Sequence, residues 1–326
     1  MKKIVFVGML LWISQWGMAQ PPIGEPLVHT YSIVAVDSVT GEIGAAVQSH
    51  WFSVGSLVIW AEAGVGAVAT QSFVNVSFGP RGLELLKQGK SPQEALDQLL
   101  AEDEGRDYRQ VAIIDAQGNS AAFTGRKCIA EAGHLTGRWF SVQANLMLKA
   151  TVWEAMARAF KNTRGPLAER LVAALEAAEA EGGDIRGKQS AALLVVRAKS
   201  TGKVWEDRLI DLRVEDHPNP VQELKRLLKV YRAYEHMNAG DVAMEKGDVA
   251  GALAEYGAAE KLLPENLEIQ FWHAVALVNA GRFQQALPIF SRIFQKDRNW
   301  QILIPRLIPN GLLKVTEEQL ETLKGL

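Results

Sequence analysis

The chain has 326 residues, 48% of them hydrophobic and 22% charged, with a formal net charge of −2. That length exceeds one ordinary domain, so two domains are expected. The near-neutral, mixed balance removes any electrostatic reason to expect nucleic acid or an anionic membrane surface as partner.

Lys2 and Lys3 precede an apolar run from Ile4 to Ile13, and Gly17 and Ala19 are small residues at the −3 and −1 positions of a cleavage site. This pattern predicts a secretory signal peptide over residues 1–19, hence an exported protein, periplasmic or extracellular. The run falls short of the roughly twenty residues that a hydrocarbon core requires, so no membrane span is expected once the signal is removed. No Cys follows the small residues, which argues against a lipid anchor. Residues 20–28, QPPIGEPLV, are rich in proline and predict an extended leader, mobile and outside any sheet.

Tyr31 to Val36 and Glu42 to Gln48 have strand composition, and Asp37-Ser-Val-Thr-Gly41 between them is turn chemistry. Leu57 to Trp60 and Val65 to Thr70 form a second expected pair. Their many Ala and Gly residues weaken β propensity, which points to another layer packed closely on the sheet. Gly79-Pro-Arg-Gly82 predicts a turn, followed by helices at Leu83 to Gln88 and Pro92 to Ala101. Ser91 and Glu94 supply a capping box for the second helix, with Pro92 at its first position. Gln110 to Asp115 and Ser120 to Phe123 predict a hairpin, with a third strand at Phe140 to Ala144. Helices follow at Thr151 to Phe160 and Pro166 to Glu179, then a buried strand at Ser190 to Arg197 and its neighbour at Arg208 to Val214. Strands and helices come in blocks instead of alternating, which predicts an α+β domain over residues 29–220, with antiparallel sheets each covered by a helix pair.

Past His217-Pro-Asn-Pro220 the composition is helical throughout, giving a second, all-α domain over residues 221–326. A helix from Val221 to about Arg232 opens it. Gly247, Ala252 and Tyr256 are then followed 34 residues later by Gly281, Ala286 and Phe290, and Gly240 is matched by Ala274. That period and the small-small-aromatic pattern resemble tetratricopeptide repeats. The first unit spans about Ala233 to Asn266. The second departs from the pattern, with Ile293 and Arg298 in place of Ala and Pro. A generic bundle of helical hairpins is the alternative. Thr316-Glu-Glu-Gln319 opens a terminal helix with a second capping box.

No GxSxG elbow, phosphate-cradling Gly loop, Rossmann fingerprint or HExxH helix is present, and Cys128 is the sole cysteine. No metal or cofactor is therefore expected. Thr30 opens the first strand, and a threonine hydroxyl becomes a nucleophile when a free α-amine on the same residue takes its proton. An ordinary strand threonine is the plain alternative. Amide and hydroxyl residues gather at strand ends: Gln48, Ser49, Thr70, Gln71, Asn75, Gln143, Asn145, Gln189 and Ser190. Such groups either line a shared cleft or are satisfied within turns. Asn145 and Gln71 are the candidates to donate to an oxyanion. Cys128 with His134 is a third candidate, against the plain role of a buried small hydrophobe. Arg208, Asp211, Arg213, Glu215 and Asp216 alternate in charge and read as a solvated or paired face.

The stretches HTYSIVAVDSVTGEIGAAVQS, AGVGAVATQSFVNVSFGPRGL, GHLTGRWFSVQANLM, GGDIRGKQSAALLVVR and DLRVEDHPNPVQELKRLL together resemble the DUF1028 family of bacteria and archaea, over about residues 29 to 230. That resemblance implies a four-layer αββα sandwich of the N-terminal nucleophile (Ntn) hydrolase type. Members without a signal peptide commonly begin Met-Thr-Phe-Ser-Ile-Val-Ala, so that methionine removal exposes the threonine matching Thr30. This chain differs in carrying residues 1–29 before Thr30. It also has Thr201-Gly-Lys-Val-Trp-Glu-Asp207 where a glycine-rich loop often precedes the last strand.

Two functional expectations follow. One is an exported Ntn-type amide hydrolase acting on a peptide-like or acylated amino compound, with Thr30, Asn145 and Gln71 catalytic. Gln48, Ser49, Thr70, Asn75, Gln143, Gln189 and Ser190 would then line the substrate cleft. The other is a binding protein that uses the cleft and the repeats for recognition. In both, a small or peptide-like ligand occupies the cleft and a protein or peptide partner the repeats, and a homodimer is left open.

Overall fold

The structure, a computed structural model, describes residues 26–326; the expected signal peptide and leader residues 20–25 lie outside the described residues. Contacts divide the chain into two compact units, one ending at Asp211 and one beginning at Leu212.

The first unit carries two sheets. One contains β1 (Leu27–Val28), β5 (Gly66–Phe73), β6 (Arg109–Asp115) and β7 (Ser120–Thr124) in that order, with β4 (Ile59–Glu62) also pairing β5. The other runs β11 (Arg208–Val214), β10 (Ser190–Val196), β3 (Ile43–Ser49), β2 (Thr30–Val36), β9 (Phe140–Ala144), β8 (Gly133–Gly137). From β10 to β8 the neighbours pair antiparallel, and β2 and β3 form the expected hairpin with Thr30 opposite Ser49 and Val36 opposite Ile43.

Strand alternation fixes which side chains meet. Val34, Val36, Ile43, Ala45 and Val47 face Ala67, Ala69, Ala112 and Ile114 in one core between the sheets. The small residues on the second list are what let the sheets approach, the reason anticipated for their density. On the outer face of the first sheet lie α1 (Phe78–Lys87) and α2 (Pro92–Ala101), whose Leu83, Leu86, Leu96 and Leu99 bury against Val68, Val111 and Ile113. Helices α3 (Val152–Asn162) and α4 (Leu167–Ala180) cover the outer face of the second sheet. The result is the four-layer αββα sandwich, α+β in class. A short helix, α5 (Val204–Asp207), stands where the glycine-rich loop was noted as absent.

Three local expectations are corrected. Gly79-Pro80-Arg81-Gly82 is not a turn but the first turn and a half of α1, where Pro80 lies early enough to need no intrahelical donor. Strand β8 was not foreseen. The leader does not stay out of the sheets: Leu27 and Val28 pair with Phe73 and Ser72, and the Val74 amide donates to the Pro26 carbonyl (3.0 Å). Strand β4 begins, with Ile59, opposite Ala69, so the edge of β5 past that point is open to these two residues.

The second unit is all helix: α6 (Pro220–Glu245), α7 (Val249–Leu262), α8 (Leu267–Asn279), α9 (Phe283–Lys296), α10 (Asn299–Leu307) and α11 (Glu317–Lys324). The helix expected to stop near Arg232 instead runs on unbroken as α6, because the sequence from Arg232 to Ala239 holds no Gly or Pro. Its second half and α7 form the first repeat; α8 and α9 form the second. Gly247 and Gly281 turn the chain between the helices of each pair with φ of 75° and 74°, a region open to glycine. Ala252 and Ala286 are fully buried at the helix crossings.

Candidate active site

The His29–Thr30 peptide bond sits at the head of β2, between the two sheets. Its carbonyl and the carbonyl after it are held by groups from four segments, all in the first unit. Ser49, the last residue of β3, donates its hydroxyl to the His29 carbonyl at 2.6 Å, and Arg186 Nη2 donates to the same oxygen at 2.8 Å. Arg186 is itself fixed by a two-point bond to Asp184, with Nε to Oδ1 at 3.0 Å and Nη2 to Oδ2 at 2.7 Å. The next carbonyl, that of Thr30, accepts from the Asn145 backbone amide (3.1 Å) and from Gln71 Nε2 (3.0 Å). The Thr30 hydroxyl reaches back across the peptide bond and donates to the Val28 carbonyl at 2.8 Å.

Behind this bond lies a buried amide network whose orientations the backbone settles. Gln110 Nε2 donates to the Ala144 carbonyl (2.9 Å), so Gln110 Oε1 must accept; it takes Gln71 Nε2 (2.7 Å) and Asn145 Nδ2 (2.8 Å). Asn145 Oδ1 is then an acceptor, and His29 Nδ1–H donates to it at 2.7 Å. Gln71 Oε1 likewise accepts from Ser32 (2.6 Å), whose oxygen accepts from Gln143 Nε2 (3.2 Å). At the other end Thr124 accepts from Gln110 (2.9 Å) and shares a hydrogen bond with His134 Nδ1 (2.8 Å). Burial pushes both His29 and His134 below the ordinary imidazole value, so each is neutral here. Ser72 and Leu146, each directly after a network amide, have φ of 75° and 60°, a conformation that costs a residue with a side chain of order 1–3 kcal/mol.

Of the residues singled out by sequence, Thr30, Asn145, Gln71, Ser49 and Gln143 come together here. Asn145 and Gln71 hold the Thr30 carbonyl and not the His29 carbonyl, where Arg186 and Ser49 stand. The others lie elsewhere. Thr70 donates to the Asn75 carbonyl (3.3 Å), and Asn75 Oδ1 accepts from Ser77 (2.7 Å): turn chemistry on the outer face. Ser190 accepts from the Val54 amide (3.1 Å) and tethers a loop. Gln189 bonds through its backbone amide to the Ser49 carbonyl (3.2 Å). Gln48 pairs with Tyr31 on the face opposite Thr30. Gln110, His29, Ser32, Asp184 and Arg186 were missed. Gln110 carried a signal, a lone amide directly before the apolar run Val111 to Ile114.

Cys128 and His134 are each committed to another partner. The thiol donates to the Arg109 carbonyl at 3.3 Å, and burial pushes its pKa up, which leaves it a poor nucleophile. Among the described residues no cluster of His, Cys, Asp or Glu could hold a metal ion, and no helix is long and apolar enough to cross a membrane.

A four-layer sandwich with threonine heading a central strand defines the class. The family model described as a family of unknown function, DUF1028, matches residues 30–224, and the chain belongs to that family. A tetratricopeptide repeat model matches residues 243–304, which points to protein–protein interaction for the helical unit. Among solved structures, protein SPO2555 from Silicibacter pomeroyi, a DUF1028 protein, is similar at 33% identity and a TM-score of 0.57, over 62% of this chain and 85% of that one. No curated protein matches this chain.

Proposed function

We propose that this protein is an exported amide hydrolase of the Ntn type whose nucleophile, Thr30, stays latent until the His29–Thr30 bond is cut. One observation carries the reading: the carbonyl that such a cut would attack is already gripped by Arg186 and Ser49, with the Thr30 hydroxyl reaching across the same peptide bond. Two donors on a carbonyl oxygen are what a developing oxyanion needs, and a fixed guanidinium is a strong one.

The chemistry balances without a further reagent but water. Thr30 Oγ attacks the His29 carbonyl carbon, the Oγ–C bond forms, the C–N bond to Thr30 breaks, and the hydroxyl proton passes to the departing nitrogen. Water then hydrolyses the ester, releasing the leader as a carboxylate and leaving Thr30 with a free amine and a free hydroxyl. In turnover that amine serves as base for the hydroxyl, and the amide substrate, peptide-like or an acylated amino compound, repeats the acyl transfer. In the intact chain the Thr30 nitrogen is part of a peptide bond and cannot act as base, so the hydroxyl is confined to the one attack on His29 and turns over no other amide in that state.

Full burial of Thr30 and pairing of Leu27–Val28 with β5 favour the second reading, a binding protein that retains its leader as structure. The intact mass of the exported protein separates the two. A wild-type chain beginning at Thr30, a Thr30→Ser chain processed more slowly and a Thr30→Ala chain beginning at Gln20 are expected. A wild-type chain that always keeps Gln20 to His29 overturns the nucleophile and leaves the binding reading. The helical repeats would then, in either case, carry a protein or peptide partner.

A further inference from the structure

The seat that residues 26–29 occupy has the makings of a substrate site. Self-cleavage and turnover pass through the same species, an ester on Thr30 Oγ, differing only in what the acyl group carries. The ester formed by self-cleavage carries Leu27-Val28-His29, so the place where those residues lie is where an acyl chain on Thr30 fits. From this, and resting on the reading of Thr30 given above, we propose that the substrate is an extended peptide. It adds as a short antiparallel strand to the edge of β5, and places a flat, hydrogen-bond-donating side chain directly before the scissile carbonyl.

Each part of the seat discriminates. The Val74 amide donates to the Pro26 carbonyl (3.0 Å), and Leu27 and Val28 take Phe73 and Ser72 as partners, so a chain entering here is recognised through its backbone. Leu27 is 42% exposed, which tolerates many side chains, whereas Val28 is fully buried and admits a small β-branched one. His29 is 3% exposed; its ring stands edge-on to Phe73 at 6.0 Å between centroids, and its Nδ1–H meets Asn145 Oδ1 at 2.7 Å. Asn145 Nδ2 is committed to Gln110 Oε1, so Asn145 cannot turn over to offer a donor instead. A side chain without a donor would leave that buried oxygen unpaired. Phe73 is in turn tied by its carbonyl to Arg109 Nη1 (2.7 Å), which stands 2% exposed and is paired with Asp103 (2.6 Å). The pocket is therefore fixed before a substrate arrives.

The test uses the full chain purified after export, its N-terminus read by mass, and four aminocoumarin amides. These are acetyl-Leu-Val-His, acetyl-Leu-Val-Leu, acetyl-Leu-Pro-His and acetyl alone. The amide of Leu-Val-His should be cleaved with kcat/KM about tenfold or more above that of Leu-Val-Leu, which lacks the donor. It should exceed Leu-Pro-His as well, since proline disrupts strand pairing. The free acid Pro-Leu-Val-His should inhibit competitively. Equal cleavage of all four, or none, by a chain that begins at Thr30 overturns the subsite while leaving the nucleophile standing. A chain that keeps Gln20 to His29 and cleaves nothing overturns both.

Discussion

Arg186 does two things at once: its fork grips Asp184 and its outer nitrogen reaches the His29 carbonyl. Lysine has one ammonium in place of the fork, so it cannot hold both partners in that geometry. Arg186→Ala, and less severely Arg186→Lys, should slow the appearance of the Thr30 N-terminus by about 10²–10³, the usual cost of losing one oxyanion donor. Unchanged processing would remove Arg186 from the chemistry. The two neutral histidines predict a pH effect as well. Burial lowers the folded-state value of His29 and His134 below that of the unfolded chain, so on acidification the unfolded chain binds protons first. Their contribution is thus present above the ordinary imidazole value and lost as pH falls below it. In a Thr30→Ala chain, which keeps His29, the melting temperature of the sandwich should drop between pH 7 and 5, and adding His29→Gln and His134→Gln should make it drop less. An identical slope in both would mean that carboxylates carry the acid sensitivity. At this scale the sequence showed Asn145 and Gln71 as candidates because polar side chains at the ends of apolar strands need partners, and Thr30 because its hydroxyl heads the first strand where the family resemblance places a threonine. It could not show Arg186, and the lone amide of Gln110 did not by itself reveal its role, since both depend on β6, β9 and the loop after α4 meeting at one peptide bond.

Local chemistry decided which elements could be read in advance. The capping box at Ser91 and Glu94 places the start of α2 at Pro92, because those bonds lie within one turn; the Ser91 amide donates to Glu94 at 2.8 Å. Helix α1 was misread for a tertiary reason. Its glycines serve close packing, not a turn: a Cβ on Gly79 would stand 2.3 Å from the Trp60 ring. Gly79→Ala must therefore push Trp60 or the helix away. Overpacking of this kind costs about 1–3 kcal/mol, which a urea titration of the isolated variant should register as a lower midpoint at unchanged slope. A midpoint equal to wild type would mean that the ring yields freely. Strands β1 and β8 escaped notice for another reason. Each depends on a partner rather than on its own composition: Leu27–Val28 is too short to show alternation, and Gly133–Gly137 begins and ends in glycine. The pairing edge of β5 that selects β1 is forty-odd residues away in sequence.

At the scale of the whole chain, the repeat period was legible because it is written in the spacing of small residues, whereas the join was not. Helix α6 carries the chain from Pro220 into the first repeat without a break, so no loop marks where the repeat begins. Each unit nevertheless has apolar clusters of its own. Those of the first unit centre on Val34, Val47, Ala69 and Ile113, and those of the second on Ala252, Tyr256, Phe271 and Phe290. Separate cores are the condition for separate cooperative unfolding. Within the second unit the fit is close at the first helix pair. Ala252 is fully buried, and a Cβ on Gly240 would meet the Tyr256 ring at 3.1 Å, with the Tyr256 hydroxyl bonded to Asp241. Burial first, and then that carboxylate, raise the Tyr256 pKa well above its ordinary value, which keeps the hydroxyl a donor at any working pH. An aspartate at position 252 would be an unpaired charge in this crossing, at a cost of roughly 3–5 kcal/mol. Ala252→Asp should therefore lower the melting of the helical unit, read by far-ultraviolet circular dichroism. Hydrogen exchange at Ala112 and Ile113, in the middle of β6, should stay at the wild-type rate. Loss of protection at β6 in step with the helical signal would show that the two units fold as one; an unchanged melt would show that Ala252 does not sit at a repeat crossing.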